Sequence, residues 1–258
     1  MSEWPFSQAV VVAHRGDSAH IAENTEAAFE SAIQLGAEAV EFDVRMTADG
    51  AAVVLHDADV ARTTDGTGLV RSMTLQQVRR LRIDLADGSE AGVPTLVEAL
   101  GILSGRAAAD IEIKNVPGEP DFDPDREDAV EATVSALQAT AFDGPVIVSS
   151  FNPLSIARSR ELAPDVATGL LTERSVEADA GLTFARAQGH AWVLPAVGAV
   201  LDAPEGFAER AHRAGMRVGT WISDDPDQAI GLMRSGIDAV ATNDPGGILT
   251  ARRRAFGA

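Results

Sequence analysis

The chain has no cysteine in its 258 residues, which excludes disulfides and thiolate metal sites. It has no apolar run approaching the roughly 18–20 residues that a membrane-crossing helix needs. Its opening residues, MSEWPFSQ, lack the basic and apolar regions of a secretory signal. These absences lead us to expect a soluble protein of the cytoplasm with no integral membrane segment. Basic residues are scarce: 21 Lys and Arg stand against 39 Asp and Glu, for a net charge of −18. Such a surface repels polyphosphate backbones and anionic membranes, so no nucleic-acid partner is expected. The one basic cluster, Arg252-Arg253-Arg254, suits the last turn of a helix, where cations meet the negative end of the dipole. Low-complexity segments and clear linkers are also missing. So is a glycine-rich phosphate turn, because the first apolar run is followed by HRGDSAH rather than GxGxxG. DFDPDRED (121–128) spaces its acids like a calcium loop but lacks the glycine and the final glutamate, and reads as a solvated loop entering a helix.

What is present is a rhythm. The chain is 45% hydrophobic, enough for a sizeable core. Short apolar runs end near AVVVAHR (9–15), AVEFDV (39–44), ADIEIK (109–114), VIVSS (146–150), ATGLL (167–171), AWVLP (191–195), RVGTW (217–221) and AVATN (239–243). A helical pattern follows each, as in TEAAFESAIQL (25–35), EDAVEATVSALQ (127–138), PLSIARSRELA (153–163), DQAIGLMRSG (227–236) and GILTARRRAF (247–256). Asn24 or Thr25 is a candidate cap for the first helix, and Pro153 suits a first turn. Strand-then-helix repetition on this scale predicts an α/β fold, the TIM (β/α)8 barrel, with an open doubly wound sheet as the runner-up. We expect one catalytic domain over 1–258. One segment breaks the rhythm. TADG, between two alternating runs, predicts a hairpin over 40–46 and 51–56, with Met46 opposite Ala51 and Glu41 facing His56. A one-residue slip would turn its side chains over, and 51–56 could also be a barrel strand in its own right. Residues 57–93, with a short helix near TLQQVRRLR, then read as a small insertion on the barrel rim after His56-Asp57.

In a barrel, the carboxyl ends of the strands converge on one face. The polar residues there are His14 and Arg15, Glu41 and Asp43, His56 from the hairpin, and Glu112 and Lys114. Glu41 and Asp43 share one face of a strand while Val40 and Phe42 share the other, and Glu112 and Lys114 are set against Ile111 and Ile113 in the same way. Buried charges cost several kcal/mol unless they are paired or metal-bound. Three converging carboxylates repel, and a hard divalent cation, Mg²⁺ or Ca²⁺, resolves the conflict. The plainer alternative is a salt-bridged rim that pairs Glu41 with Arg45 and Glu112 with Lys114. Two histidines on the same rim suggest one base and one acid, while His20, His190 and His212 read as loop or helix surface. A guanidinium and an ammonium beside the acids suit an anionic phosphate ester.

At these residues the sequence resembles the glycerophosphodiester phosphodiesterase family. The carrying segments are HRG (14–16), ENT-x2-AF (23–29), GAEAVEFDVRMTADGAAVVLHD (36–57), RTTDGTG (62–68), VPTLVEAL (93–100), IEIK (111–114), SSF (149–151) and ATNDP (241–245). The resemblance implies a TIM barrel with a small insertion after the HD motif. It implies a divalent metal, Mg²⁺ or Ca²⁺, on Glu41, Asp43 and Glu112. His14 and His56 would be the acid/base pair, and Arg15 and Lys114 would hold the phosphate. Trp221 would wall the glycerol or leaving group, although core packing explains it more simply. Asn24 would face the site or the metal, with Glu23 bracing its loop. Ala22 stands where the family often has proline, Asp17 adds a charge near the phosphate, and AWVLPAVGAV lacks a His-Pro pair. The implied reaction hydrolyses a small glycerophosphodiester to glycerol 3-phosphate and an alcohol. The alternatives are a lysophospholipase D-type reaction, which needs an apolar acyl path that 57–93, with few large exposed apolar residues, does not offer, and a non-catalytic phosphate-ester binding barrel. A homo-oligomer is compatible with all three.

Overall fold

The computed structural model describes residues 5–257; Met1–Trp4 and Ala258, part of the expected domain and its opening segment, lie outside the described residues. In chain order the elements begin with β1 (Val10–His14), α1 (Glu26–Leu35), β2 (Ala39–Met46) and β3 (Ala52–Val54). The excursion follows, with α2 (Leu75–Val78), β4 (Ile83–Asp84) and β5 (Glu90–Ala91). The rhythm resumes with α3 (Leu96–Leu103), β6 (Ala108–Ile113), α4 (Asp128–Thr140), β7 (Val146–Ser150), α5 (Pro153–Leu162), β8 (Ala167–Thr172), α6 (Ala178–Ala187) and β9 (Trp192–Pro195). It ends with α7 (Val197–Asp202), α8 (Phe207–Arg213), β10 (Arg217–Thr220), α9 (Pro226–Arg234), β11 (Ala239–Thr242) and α10 (Pro245–Phe256).

Eight parallel strands close on themselves in the order β1-β11-β10-β9-β8-β7-β6-β2, with β2 returning to β1. This is the TIM barrel. Each barrel strand is buried on both faces, and strict alternation sorts its residues. Val10, Val12, Ala39, Ala108, Ile147, Trp192 and Ala239 meet inside the barrel. Their neighbours Ala13, Val40, Phe42, Ile111, Ile113 and Val148 pack outward against α1, α3 and α4. Val11, Val193, Val218 and Val240 do the same against the later helices. The inward column therefore continues up to His14 on β1, Glu41 and Asp43 on β2, and Glu112 on β6, which the register aligns as His14↔Glu41 and Asp43↔Glu112.

Helix starts follow local chemistry. Thr25, rather than Asn24, caps α1 by accepting from the Ala28 amide at 3.2 Å. Asn152-Pro153, Asp225-Pro226 and Asp244-Pro245 begin α5, α9 and α10, each pairing a capping side chain with a proline in the first turn. The arginine cluster falls near the end of α10, as its charge suggested.

The hairpin differs from expectation. Met46 pairs with Ala52, and Val44 with Val54, so the register is shifted by one. Thr47 causes the shift: its hydroxyl accepts from the Ala51 amide at 2.9 Å and its own amide bonds the Ala51 carbonyl, which takes Ala51 into the loop. Asp43, not Glu41, then lies beside the hairpin, through the Leu55 amide. β3 is an antiparallel edge on β2 and not a barrel strand. The excursion has a small core of its own, in which Val53, Leu55, Val60, Val70, Val78, Leu81, Ile83 and Val93 pack together. Among the described residues no helix is long and apolar enough to cross a membrane.

Candidate active site

A cavity of about 880 Å³ opens at the carboxyl ends of the strands, and His14, Arg15, Glu41, His56, Glu112 and Lys114 line it. The turn after β1 is built to hold two of these. Arg15 and Asn24 both adopt left-handed backbone conformations (φ 56° and 57°), which are strained for residues with a Cβ. They are tied to each other by the Asn24 amide on the Arg15 carbonyl at 3.0 Å, and Arg15 to β2 by its amide on the Glu41 carbonyl at 2.9 Å. Gly16 (φ +85°) lets α1 approach: a Cβ there would lie 2.6 Å from the Ala28 carbonyl carbon.

Glu41, Asp43 and Glu112 each bring an oxygen within 4.8 Å of the others, and all three side chains are buried. Asp43 Oδ2 accepts from Asn24 Nδ2 at 2.8 Å and lies 3.1 Å from Arg15 Nε. Glu112 Oε1 accepts from Lys114 Nζ at 2.7 Å, and the same ammonium stands 3.3 Å from Asp43 Oδ1. Burial pushes the Asp43 carboxyl up, but Lys114 and Arg15 outweigh it and hold the group well below the usual carboxylate range. Glu41 goes the other way, raised by burial and then by the charges of Asp43 and Glu112. Glu112 is likewise raised, chiefly by burial. Glu41 Oε1 and Asp43 Oδ1 accept no hydrogen bond. Oxygen donors that are buried, mutually repelling and unsatisfied are the set a hard divalent cation satisfies. The salt-bridged alternative holds for Glu112 and Lys114 only. Arg45 turns instead to Asp121 (2.8 Å), Glu119 and the His56 carbonyl (2.7 Å), so Asp121 belongs to a buried pair rather than a solvated loop. Lys114 is the only lysine in the chain.

The two histidines are held alike but by different partners. His14 Nδ1 lies 2.8 Å from Asn243 Oδ1. Asn243 Nδ2 donates to Asp224 Oδ2 at 2.8 Å, and this fixes the amide with its oxygen toward His14. His14 therefore carries its proton on Nδ1 and presents Nε2, 3.8 Å from Glu41 Oε2, to the cavity. Burial, then Arg15, pushes this imidazole down to about 4, so it is neutral near pH 7. His56 Nδ1 instead faces a carboxylate, Asp57 Oδ1, at 2.6 Å. Burial lowers His56 too, and Lys114 and Arg15 add to this, while Asp43 and the Asp57 hydrogen bond offset it only in part, so the imidazole stays below its ordinary value.

A strap from the excursion joins both sides. Arg62 donates to Asp57 through Nε and to Glu23 through both terminal nitrogens (2.7 and 3.0 Å). Glu23 in turn accepts from Arg15 at 3.0 Å, bracing that loop. Asp57, Arg62, Asn243, Asp224 and Arg45 were not singled out from sequence as site residues. HD, RTTDGTG and ATNDP contain three of them at the rim, but the bonds span up to 229 residues, and spacing alone does not show them. Asp110 was also missed, although D-I-E-I-K puts it in the same inward column as Glu112 and Lys114. It lines the cavity, bonds Ser149 at 2.7 Å, and is pushed up to about 7 by burial.

Asn24 is buried beside Asp43, which it meets through Nδ2, while its Oδ1 accepts no hydrogen bond. Trp221 lines the cavity with its ring edge-on to Phe151 (5.3 Å, 87°) and its Nε1 on the Leu194 carbonyl. Asp17 turns away to His20 and Ser31. His20 and His212 are surface residues, but His190 is buried, bonding Thr168 Oγ1 at 2.9 Å behind the strand ends.

A closed α/β barrel with acids, cations and two tethered imidazoles at its carboxyl face has the equipment of a phosphate-ester hydrolase. Residues 14–247 match the Glycerophosphoryl diester phosphodiesterase family, and the chain belongs to that family. It is similar to the glycerophosphodiester phosphodiesterase of Caldanaerobacter subterraneus subsp. tengcongensis, 31% identical over 95% of this chain and 98% of that one. It is also similar to the probable glycerophosphodiester phosphodiesterase 1 of Mycobacterium tuberculosis, 32% identical over 92% of this chain and 89% of that one. Among solved structures, a phosphodiesterase of Oleispira antarctica in complex with the product sn-glycerol-3-phosphate superposes with a TM-score of 0.82 at 27% identity, covering 95% of this chain and 96% of that one. The chain is a phosphoric diester hydrolase of the glycerophosphodiester class.

Proposed function

We infer that the protein hydrolyses glycerophosphodiesters to glycerol 3-phosphate and an alcohol with a divalent cation, Mg²⁺ or Ca²⁺, held by Glu41, Asp43 and Glu112. The carrying observation is the gathering of these three carboxylates within 4.8 Å, two of their oxygens accepting no hydrogen bond, at a cavity that two Nδ1-tethered histidines also line. When bound, the cation supplies positive charge against the phosphoryl oxygens. Arg15 and Lys114 hold the phosphate from either side of Asp43. His14, with a neutral partner and a free Nε2, takes a proton from the nucleophile, which is water or the glycerol 2-hydroxyl. His56, which unlike His14 has a carboxylate, Asp57, at its Nδ1, gives a proton from Nε2 to the departing alcohol oxygen. Environments that separate two like groups in this way are how one site runs both acid and base chemistry. Asn24 steadies Asp43, and Trp221 walls the organic part of the substrate. The excursion over 57–93 belongs to the same catalytic unit, because it provides the Arg62 strap. Purified protein with Mg²⁺ or Ca²⁺ should release glycerol 3-phosphate from glycerophosphocholine and stop on chelation. His14→Ala and His56→Ala should each lose about 10²–10⁴-fold in kcat. Wild-type rates in those variants would sink the assignment.

A further inference from the structure

The cavity carries charges that the reaction does not use. Among the described residues that line it, Arg15 and Lys114 both turn to Asp43. The charged side chains left over are all acids: Asp110 on β6, Glu119 in the loop after β6, and Glu173 after β8. No lining cation among the described residues remains for a second anionic group, in a chain of net charge −18.

Glu119 is the acid tied to the His56 side, and Arg45 ties it there. The Arg45 side chain, on β2 and only 1% exposed, donates from Nε to the His56 carbonyl at 2.7 Å, from Nη1 to Asp121 at 2.8 Å, and from Nη2 to Glu119 Oε2. A guanidinium is a rigid planar fork, so these bonds hold Glu119 about one guanidinium away from the His56 backbone. The Glu119 amide donates to the Val116 carbonyl at 3.1 Å, which closes the turn that carries it, between Pro117 and Pro120. Glu119 Oε1 accepts no hydrogen bond among the described residues, and the side chain is 29% exposed. One oxygen is anchored and the other is free, on a side chain that lines the cavity.

We propose that Glu119 selects esters whose leaving alcohol is cationic, receiving an aminoalcohol ammonium such as that of choline or ethanolamine on its free oxygen. The inference rests on the hydrolase reading above and deepens it by naming the class of head group. Charge and reach decide the occupant. An aminoalcohol ammonium lies one ethylene bridge beyond the ester oxygen, so a departing oxygen at His56 carries it to the side where Glu119 is held. A neutral polyol head group makes no such pair, and a head group bearing a further anion is repelled. The acid changes which ester is bound and not which bond breaks.

The test compares kcat/KM for glycerophosphocholine and glycerophosphoethanolamine with that for glycerophosphoglycerol, whose head group is neutral, reading glycerol 3-phosphate release in each case. The wild type should favour the cationic head groups by roughly two- to fivefold, the scale of a partly exposed ion pair. That ratio should shrink between about 0.01 M and about 0.5 M salt. Glu119→Gln keeps an acceptor for Arg45, and Asp121 keeps the charge beside it, so this variant should fold and bring the ratio close to one. Glu161→Gln removes an exposed acid from the far end of α5 and should leave the ratio as it is. Equal rates on cationic and neutral head groups in the wild type overturn the proposal without recourse to any variant. A preference that survives Glu119→Gln, or that Glu161→Gln diminishes as much, overturns it too, since either result reports something other than this carboxylate. No turnover of any of the three substrates would instead refute the hydrolase reading beneath it.

Discussion

Asn243 offers the sharpest perturbation, because it touches neither Arg15 and Lys114 nor the cluster of Glu41, Asp43 and Glu112. Its amide oxygen is 2.8 Å from His14 Nδ1, and its amide nitrogen is spent on Asp224 at 2.8 Å. Asn243→Leu keeps the shape and removes the acceptor that His14 shares with the Ser18 hydroxyl (3.0 Å), together with the donor to Asp224. A buried donor left unpaired costs about 1–3 kcal/mol. The imidazole escapes that cost by turning over or by moving its proton to Nε2, and either change withdraws the lone pair from the cavity. The same 1–3 kcal/mol in the barrier is about 5- to 150-fold in kcat, with KM within about threefold because Arg15 and Lys114 are untouched. Asn243→Asp combined with Asp224→Asn, which avoids two carboxylates 2.8 Å apart, tests the sign. A neutral partner leaves His14 depressed to about 4. A carboxylate in its place stabilises the imidazolium, so the acid limb of the pH–rate profile should move to higher pH. Steady-state kinetics over pH 4–9 reads both, and imidazole NMR of the metal-free protein reads the tautomer. Wild-type kcat in Asn243→Leu, or an unshifted acid limb in the Asn243→Asp/Asp224→Asn double variant, would refute the tether.

Two further outcomes follow from groups outside the carboxylate cluster. Arg62 is 48% exposed, so Arg62→Ala should cost no more than about 1 kcal/mol in a melt, yet slackening His56 and Arg15 together should lower kcat/KM by about 10- to 100-fold; equal losses in stability and rate would make the strap merely structural. His190 is 4% exposed, and burial, then Arg160, pushes it down to about 4. A folded value below the unfolded 6.5 means the unfolded chain binds more protons between those limits, so stability is full above about pH 6.5 and falls as pH drops toward 4. That amounts to about 3 kcal/mol at the low end. His190→Gln should flatten the slope of denaturant-derived stability over that window, and an unchanged slope would place the titration elsewhere.

The barrel was legible because parallel strands buried on both faces leave long apolar runs, and the charged residues that interrupt β2 and β6 gather on their inward faces toward the carboxyl ends. E-F-D and I-E-I-K marked Glu41, Asp43, Glu112 and Lys114 as one inward group, and the register brings them together. What escaped depends on long-range bonds or on one hydroxyl. Thr47 lengthened the hairpin loop by a residue, which the TADG signal does not encode. Arg45 found Asp121, 76 residues away, instead of Glu41 on its own strand. His190 is an isolated imidazole in sequence, and only its meeting with Thr168, across neighbouring strand ends, makes it interior.

The solitary lysine has a practical corollary. A chain grown on isotopically enriched lysine carries one enriched ammonium, and that ammonium sits between Asp43 and Glu112. Its resonance becomes a single-site reporter, free of overlap from any other position. Titrating in magnesium, calcium or inorganic phosphate would move that one peak, and so would separate the arrival of the ion from the arrival of the anion.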